Sequence, residues 1–234
     1  MPSSVTSQND AAAPRGRYHH GSLREAMVAA ALELIEAHGV EHLSVREAAR
    51  TAGVSPGAPF RHFPTKAALL TAVAEQATER LHAQVELGLA NSAGQPALLR
   101  FAAIGEAYLD WAARHPTHFQ VVSQRQLLDA DAPARLAPHN DAIRARMQAL
   151  LDEAFADTPT ALARLPALQL LGRALVYGLS RMGVDGHFPE WNLGHASAPT
   201  AVRDAFVLFI ELLATGRDAQ TREAVARWAA RLSA

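Results

Sequence analysis

Residues 44 to 66, SVREAARTAGVSPGAPFRHFPTK, hold two helix starts, a glycine turn and a third, basic helix start within 23 residues. That punctuation leaves this part of the chain few ways to fold. Ser44 followed by Glu47 forms a capping box, in which the hydroxyl takes the amide of the third helical residue and the carboxylate reaches back to the cap amide. A helix is therefore expected from Val45. Val45, Ala48, Ala49 and Ala52 recur at the helical period as a small apolar stripe, with Arg46 and Arg50 on the other face. Gly53 supplies the left-handed conformation that ends a helix with little strain, and Val54 can plug the angle between two crossing helices.

Ser55 is the next N-cap, with Pro56 at the first helical position, where its missing amide does no harm. The second helix is predicted from about Pro56 to Phe63. Gly57, Ala58 and Pro59 have little bulk, so this helix start can approach a groove floor, while Arg61 and His62 carry hydrogen-bonding atoms. Pro64 stops the helix, Thr65 caps the following one, and Lys66 sits in its first turn. A lysine there opposes the helix dipole, which is favourable if an anion such as a DNA phosphate lies beside it. The pattern as a whole is that of a helix-turn-helix.

A helix precedes the motif: Leu23, Met27, Ala30, Ala31, Leu34 and Ile35 form one stripe, Ser22 is the candidate N-cap, and Gly39 closes it. Taken with this helix and the following AALLTAVAEQA, residues 44 to 66 resemble the DNA-binding domain of the TetR family of bacterial transcriptional repressors. The resemblance covers roughly residues 18 to 77, and its capped helix, AGVS turn and F-x-x-F-P-x-K-x-x-L ending make it specific. YHHGSLR at 18 to 24 and Pro59 look like a subgroup in which a distinct helical C-terminal domain follows. Two departures stand out. Phe60 replaces the family's usual tyrosine, whose hydroxyl commonly meets a phosphate. Pro59 lacks the amide that would bond the Ser55 carbonyl, so the recognition helix is expected to start late or as a tighter 3₁₀ turn.

Electrostatics constrain how such a motif meets DNA. The 234-residue chain has a net charge of −1, and residues 1 to 66 carry seven basic and six acidic side chains, so no global basic field exists. Attraction must be local, through Arg15, Arg17, Arg24, Arg46, Arg61 and Lys66, and a dimer doubles it. Paired helix-turn-helix units read half-sites about 34 to 36 Å apart, so a palindromic operator is expected. The candidate DNA-binding set is Arg15, Arg17, Ser44, Arg46, Ser55, Gly57, Ala58, Phe60, Arg61, His62 and Lys66. MPSSVTSQNDAAAP at the start has almost no large apolar side chain, so 1 to 17 is expected to be a disordered arm. It is either a minor-groove or backbone contact or a solvated tail.

Beyond the motif the pattern is all-α. A long amphipathic helix is predicted over 66 to about 90, and further helices over 96–114, 116–128, 138–156, 166–184, 200–215 and 218–232. The expected organisation is a helix-turn-helix domain at 18–77, with its motif at 44–63, and a helical ligand-binding and dimerisation domain at 78–234. Residues 166–184 and 200–215 are apolar around most of their circumference, and in the TetR family the corresponding helices form a four-helix bundle across a two-fold axis, which implies a homodimer. The 185–199 loop with Trp191 reads as an ordered flap or a lid.

A trigger has to come from the central helices, where Tyr108, Trp111, Phe119, Gln124, Met147, Arg173 and Tyr177, with His118, Arg144 and Met182, lie among apolar neighbours. Such clusters line pockets for small organic ligands, although each member singly fits ordinary packing. The eleven histidines lack metal-ligand spacing, there is no cysteine, and no cofactor is expected. No nucleophile elbow, P-loop or H-E-x-x-H is present, so catalysis is not expected. No window approaches 18 apolar residues and no signal-peptide core leads the chain, so a soluble protein of the bacterial cytoplasm is expected. The leading reading is a homodimeric repressor released from its operator by a small molecule. In the mechanism the resemblance implies, the ligand moves the 66–90 helix and so changes the spacing of the recognition helices. The alternatives are an architectural or adaptor DNA-binding protein without a trigger, and a helical enzyme with an incidental helix-turn-helix.

Overall fold

The computed structural model describes residues 20–55, 57–158, 163–193, 197–215 and 217–232. Arg15, Arg17 and the rest of the N-terminal arm, and Pro56, lie outside them. Among the described residues every regular element is helical, and no helix is long and apolar enough to cross a membrane.

The local signals place the first elements. Helix α1 (His20–His38) begins two residues ahead of the candidate cap Ser22, and ends where Gly39, at φ 84°, donates its amide to the Ile35 carbonyl at 2.8 Å. Ser44 Oγ accepts from the Glu47 amide at 3.1 Å and starts α2 (Val45–Thr51). The reciprocal half of the expected capping box is replaced by another contact, because the Glu47 carboxylate is taken by Arg50 one turn on. Gly53, at φ 66°, ends α2.

Thr65 Oγ1 accepts from the Ala68 amide at 2.9 Å and opens α3 (Lys66–Asn91), the longest helix. It is followed by α4 (Ala97–Arg114), α5 (Pro116–Ser123) and α6 (Ala132–Ala154). Then come α7 (Leu165–Asp185), α8 (Ala198–Ala214) and α9 (Ala219–Leu232). Two expectations are corrected here. The 116–128 helix stops at Ser123, and a separate 3₁₀ turn covers Arg125–Leu127. The 138–156 helix starts six residues earlier, with Pro138 inside it. Pro138 cannot bond the Ala134 carbonyl, but both residues are exposed, so water can take that carbonyl and the helix passes through.

Two apolar cores result. The first gathers α1, α2 and the start of α3 around Met27, Ile35, Ala48, Phe63, Leu69 and Val73, and also takes Val121 from α5 and Leu136 from α6. The second lies between α3, α4, α6, α7 and α8, with Trp228 and Val225 of α9 packed into it. Trp228 Nε1 donates to the Glu106 carboxylate, and burial pushes the Glu106 carboxyl up despite that bond. In the 186–193 segment it is Phe188, within the 3₁₀ turn Phe188–Trp191, that anchors the chain, while Trp191 is 65% exposed.

Candidate nucleic-acid interface and ligand cavity

The segment expected to be a recognition helix from Pro56 to Phe63 is a single 3₁₀ turn over Pro59–Arg61. Its bonds explain the shortening. Ala58 donates to the Ser55 carbonyl at 3.0 Å, Pro59 has no amide to extend that ladder, and both His62 and Phe63 donate to the Pro59 carbonyl, at 2.9 and 2.8 Å. Buried Pro59 and Phe63 pin the turn to the first core. Ser55, Gly57, Phe60, Arg61 and His62 remain exposed along it, with Ala58 half-buried.

The other candidate DNA contacts divide. Arg46 is exposed on α2, and the Ser44 hydroxyl is occupied as the helix cap. Lys66 is half-buried, and its Nζ donates to the Glu41 carbonyl at 2.9 Å, which ties the start of α3 to the α1–α2 connection. Arg24, expected among the phosphate contacts, is drawn instead to Glu75 of α3, whose carboxylate also takes Arg135 of α6. One carboxylate thus links the first helix of the motif to the C-terminal bundle.

Between α3, α4, α6, α7 and α8 lies a cavity of about 460 Å³, within the size range of small-molecule sites. Leu81 and Val85 of α3, Ile104 of α4, Met147 of α6, Val176 of α7 and Phe206 of α8 give it an apolar wall. Of the expected ligand residues, Tyr108, Met147 and Arg173 line it, as does Arg144. Trp111 and Tyr177 line a smaller adjoining chamber of about 270 Å³, which shares Leu81, Tyr108, Arg125, Asn140 and Arg173 with the first.

The remaining expected residues fall elsewhere. Phe119 lines neither space: it is fully buried behind them, its ring 5.8 Å from Tyr177 and 6.4 Å from both Tyr108 and Trp111. Gln124 lines neither, because α5 stops one residue before it and its backbone caps that end. His118 turns toward α3, with Nε2 3.1 Å from Gln76 Oε1. Sequence reasoning missed Gly105 and Phe206, which meet face to face: a Cβ at Gly105 would fall inside the contact radius of the Phe206 ring. A glycine in the middle of an apolar helix is the signal that pointed there.

The electrostatics of the site are cationic. The Arg173 guanidinium stacks over Tyr108 at 4.6 Å and Tyr177 at 5.3 Å. Burial pushes the Tyr108 hydroxyl up, with Arg173 opposing the shift. Arg144 is neutralised by Asp141 at 3.1 Å. Trp111 Nε1 is buried without a hydrogen-bond partner, a deficit that costs about 1 to 3 kcal/mol in a closed interior.

Comparison with known proteins agrees with this architecture. The family model for bacterial regulatory proteins of the tetR family matches residues 27–73, and that for the tetracyclin repressor-like C-terminal domain matches residues 101–208. A solved structure of a protein with unknown function from Rhodococcus sp. RHA1 is 30% identical, at a TM-score of 0.66, over 84% of this chain and 97% of its own. A protein of Pseudomonas aeruginosa PAO1 described as a transcriptional regulator is 20% identical, at a TM-score of 0.66, over 86% and 94%. PfmR, a TetR family transcriptional regulator of Thermus thermophilus, is 20% identical, at a TM-score of 0.58, over 79% and 96%. No curated protein sequence matches. A helix-turn-helix core carried on a helical bundle, with both parts matched by family models, makes this chain a member of the TetR family of DNA-binding transcriptional regulators.

Proposed function

We propose that the protein is a homodimeric repressor that leaves a palindromic operator when a small organic molecule fills the cavity of the C-terminal bundle. The observation that carries this reading is the course of α3. It starts directly after the recognition turn, at the Thr65 cap, and its residues Leu81 and Val85 form part of the cavity wall about 22 to 28 Å further along, at ~1.5 Å per residue. A ligand that repacks one end of a single helix displaces the other. It shifts the DNA equilibrium only by binding the DNA-incompetent state more tightly, typically by about 1 to 3 kcal/mol.

In this reading residues 18–77 form the DNA-binding unit and 78–234 the ligand-binding and dimerisation unit, acting in the bacterial cytoplasm. The exposed Ser55, Gly57, Phe60, Arg61 and His62, with Ala58, Arg46 and Lys66, face DNA, and the Arg15 and Arg17 arm adds backbone contacts. The two-fold interface uses α7 and α8. Leu170, Leu171, Leu208 and Leu212, 55 to 69% exposed in the single chain, form an apolar face that a second copy would cover.

Sedimentation equilibrium, combined with footprinting of DNA selected from a random pool, tests the reading. The expected result is a dimer that protects a two-fold symmetric site, and a Leu170→Glu, Leu212→Glu variant that is monomeric and loses it. A monomeric parent or an asymmetric footprint sinks the homodimer. A footprint that no member of a metabolite panel releases favours the adaptor reading.

A further inference from the structure

We infer that the molecule this cavity takes is an organic anion, a carboxylate head on an apolar body, with the head seated in the smaller chamber beside Trp111. The inference rests on the cavity being the effector site, as proposed above.

The chamber is built to receive acceptors. Trp111, 2% exposed, presents an indole N–H with no partner among the described residues, and the buried Ser123 hydroxyl beside the same space has none among them either. Arg125 and Arg173 also line it, neither has an ion-pair partner among the described residues, and no aspartate or glutamate lines the chamber. Arg173 lies with its face on the Tyr108 and Tyr177 rings. That placement, with a side-chain hydrogen bond to the Tyr108 hydroxyl, holds the guanidinium in the chamber wall, and of its five N–H donors others are left for a carboxylate. A cationic ligand would find no counter-charge here. A wholly apolar one would leave the two buried donors unanswered and gain nothing from the two exposed arginines.

The larger cavity accounts for the rest of the molecule. It adjoins the chamber, sharing Tyr108 and Leu81 with it, and its apolar wall is Val85, Phe101, Ile104, Met147, Val176 and Phe206. Asp141, the one carboxylate on it, is paired with Arg144. An anionic head at one end and an apolar wall at the other define an amphipathic acid.

Calorimetric titration of the full-length protein with decanoate and 4-phenylbutyrate, against decanol and 4-phenylbutanol, tests the class. The indole N–H resonance of Trp111, identified with Trp111→Phe, reports the place of binding. The acids should bind at least about tenfold more tightly than the alcohols and shift that resonance. In Arg125→Gln, Arg173→Gln the acids' advantage over the alcohols should fall to about twofold; both substitutions are at exposed residues and leave the cores intact. Alcohols that match the acids while shifting Trp111, or a preference that survives in the double variant, would overturn the anion assignment and leave the effector-site reading standing. If none of the four probes moves the Trp111 resonance, the effector-site reading falls and the inference with it.

Discussion

Phe119 and Val121 stand two residues apart on α5 and belong to different cores. Phe119 packs among Tyr108, Trp111 and Tyr177 behind the cavity of the C-terminal bundle, whereas Val121 packs into the core of the helix-turn-helix. An eight-residue helix thus presents one face to each functional region, and Glu75, shared by Arg24 and Arg135, adds a polar link beside it. Helix α3 is therefore accompanied by a second physical path between the cavity and the DNA-binding turn.

Val121→Ala should leave the cavity's affinity for its ligand in DNA-free protein within about twofold and weaken the ligand–operator coupling by roughly 0.5 to 2 kcal/mol. Phe119→Ala should lower the unfolding free energy by about 3 to 5 kcal/mol, because it empties a fully buried site. Ligand titrations with and without operator, and urea unfolding, measure the two. Unchanged coupling in Val121→Ala would remove α5 from the mechanism.

Replacing Arg61 and His62 together by Ala should abolish discrimination between the operator and random DNA while the dimer persists, because both side chains stand exposed on the 3₁₀ turn outside the two cores. Gel-shift titrations on both DNAs decide it. Full retention of the operator preference would mean that the turn is not the reading element.

Lys66→Ala should weaken binding equally on all sequences and lower the slope of log K against log salt by about 0.9, one phosphate contact. Since the Lys66 amine also donates to the Glu41 carbonyl, the variant should lose about 1 kcal/mol of stability as well. A salt slope equal to the parent's with the stability lost would make Lys66 a purely structural clasp.

His118 should make the protein acid-sensitive. Burial, reinforced by the positive charges of Arg80 and His115, pushes its imidazole down from the ordinary 6.5 to about 4. As pH falls below 6.5 the unfolded chain takes up the proton first. The stability held above 6.5 is then lost progressively toward pH 4, by about 1 to 2 kcal/mol with solvent screening of the exposed Arg80. In His118→Gln this portion of the pH dependence should vanish, and thermal melts of the two proteins between pH 7 and about 4.5 would show parallel curves if the assignment is wrong.

Gly105→Ala should destabilise the protein by about 1 to 3 kcal/mol, because the new methyl would collide with the Phe206 ring and force it toward the cavity. A companion Phe206→Leu substitution should restore most of that loss. Differential scanning calorimetry of the single and double variants would reveal additive losses if the two residues do not compete for one space.

By itself the sequence determined the helix ends closest to the motif and the motif's character, because caps, glycines and prolines act within a few residues. Ser44, Gly39, Gly53 and Thr65 do in the structure what their spacing predicted. Even the shortening of the recognition helix was legible in Pro59, whose missing amide is a local fact. Pro138 misled for the opposite reason: whether a helix continues through a proline depends on whether the freed carbonyl four residues back meets water and on packing beyond it, which no local pattern states.

Only the tertiary structure decided which side chains share a space. Tyr108, Met147 and Arg173 line the cavity, while Phe119, as polarisable and central in sequence, is sealed behind it, and Gln124 lies outside it. Periodicity fixes which face of a helix is apolar, but the crossing of α3, α4, α6 and α7 fixes which part of that face meets a neighbour and which part meets empty volume. The packing of α1 on α3 likewise brought Arg24 onto Glu75. Packing between distant segments also set Phe119 and Val121 to work in two different cores.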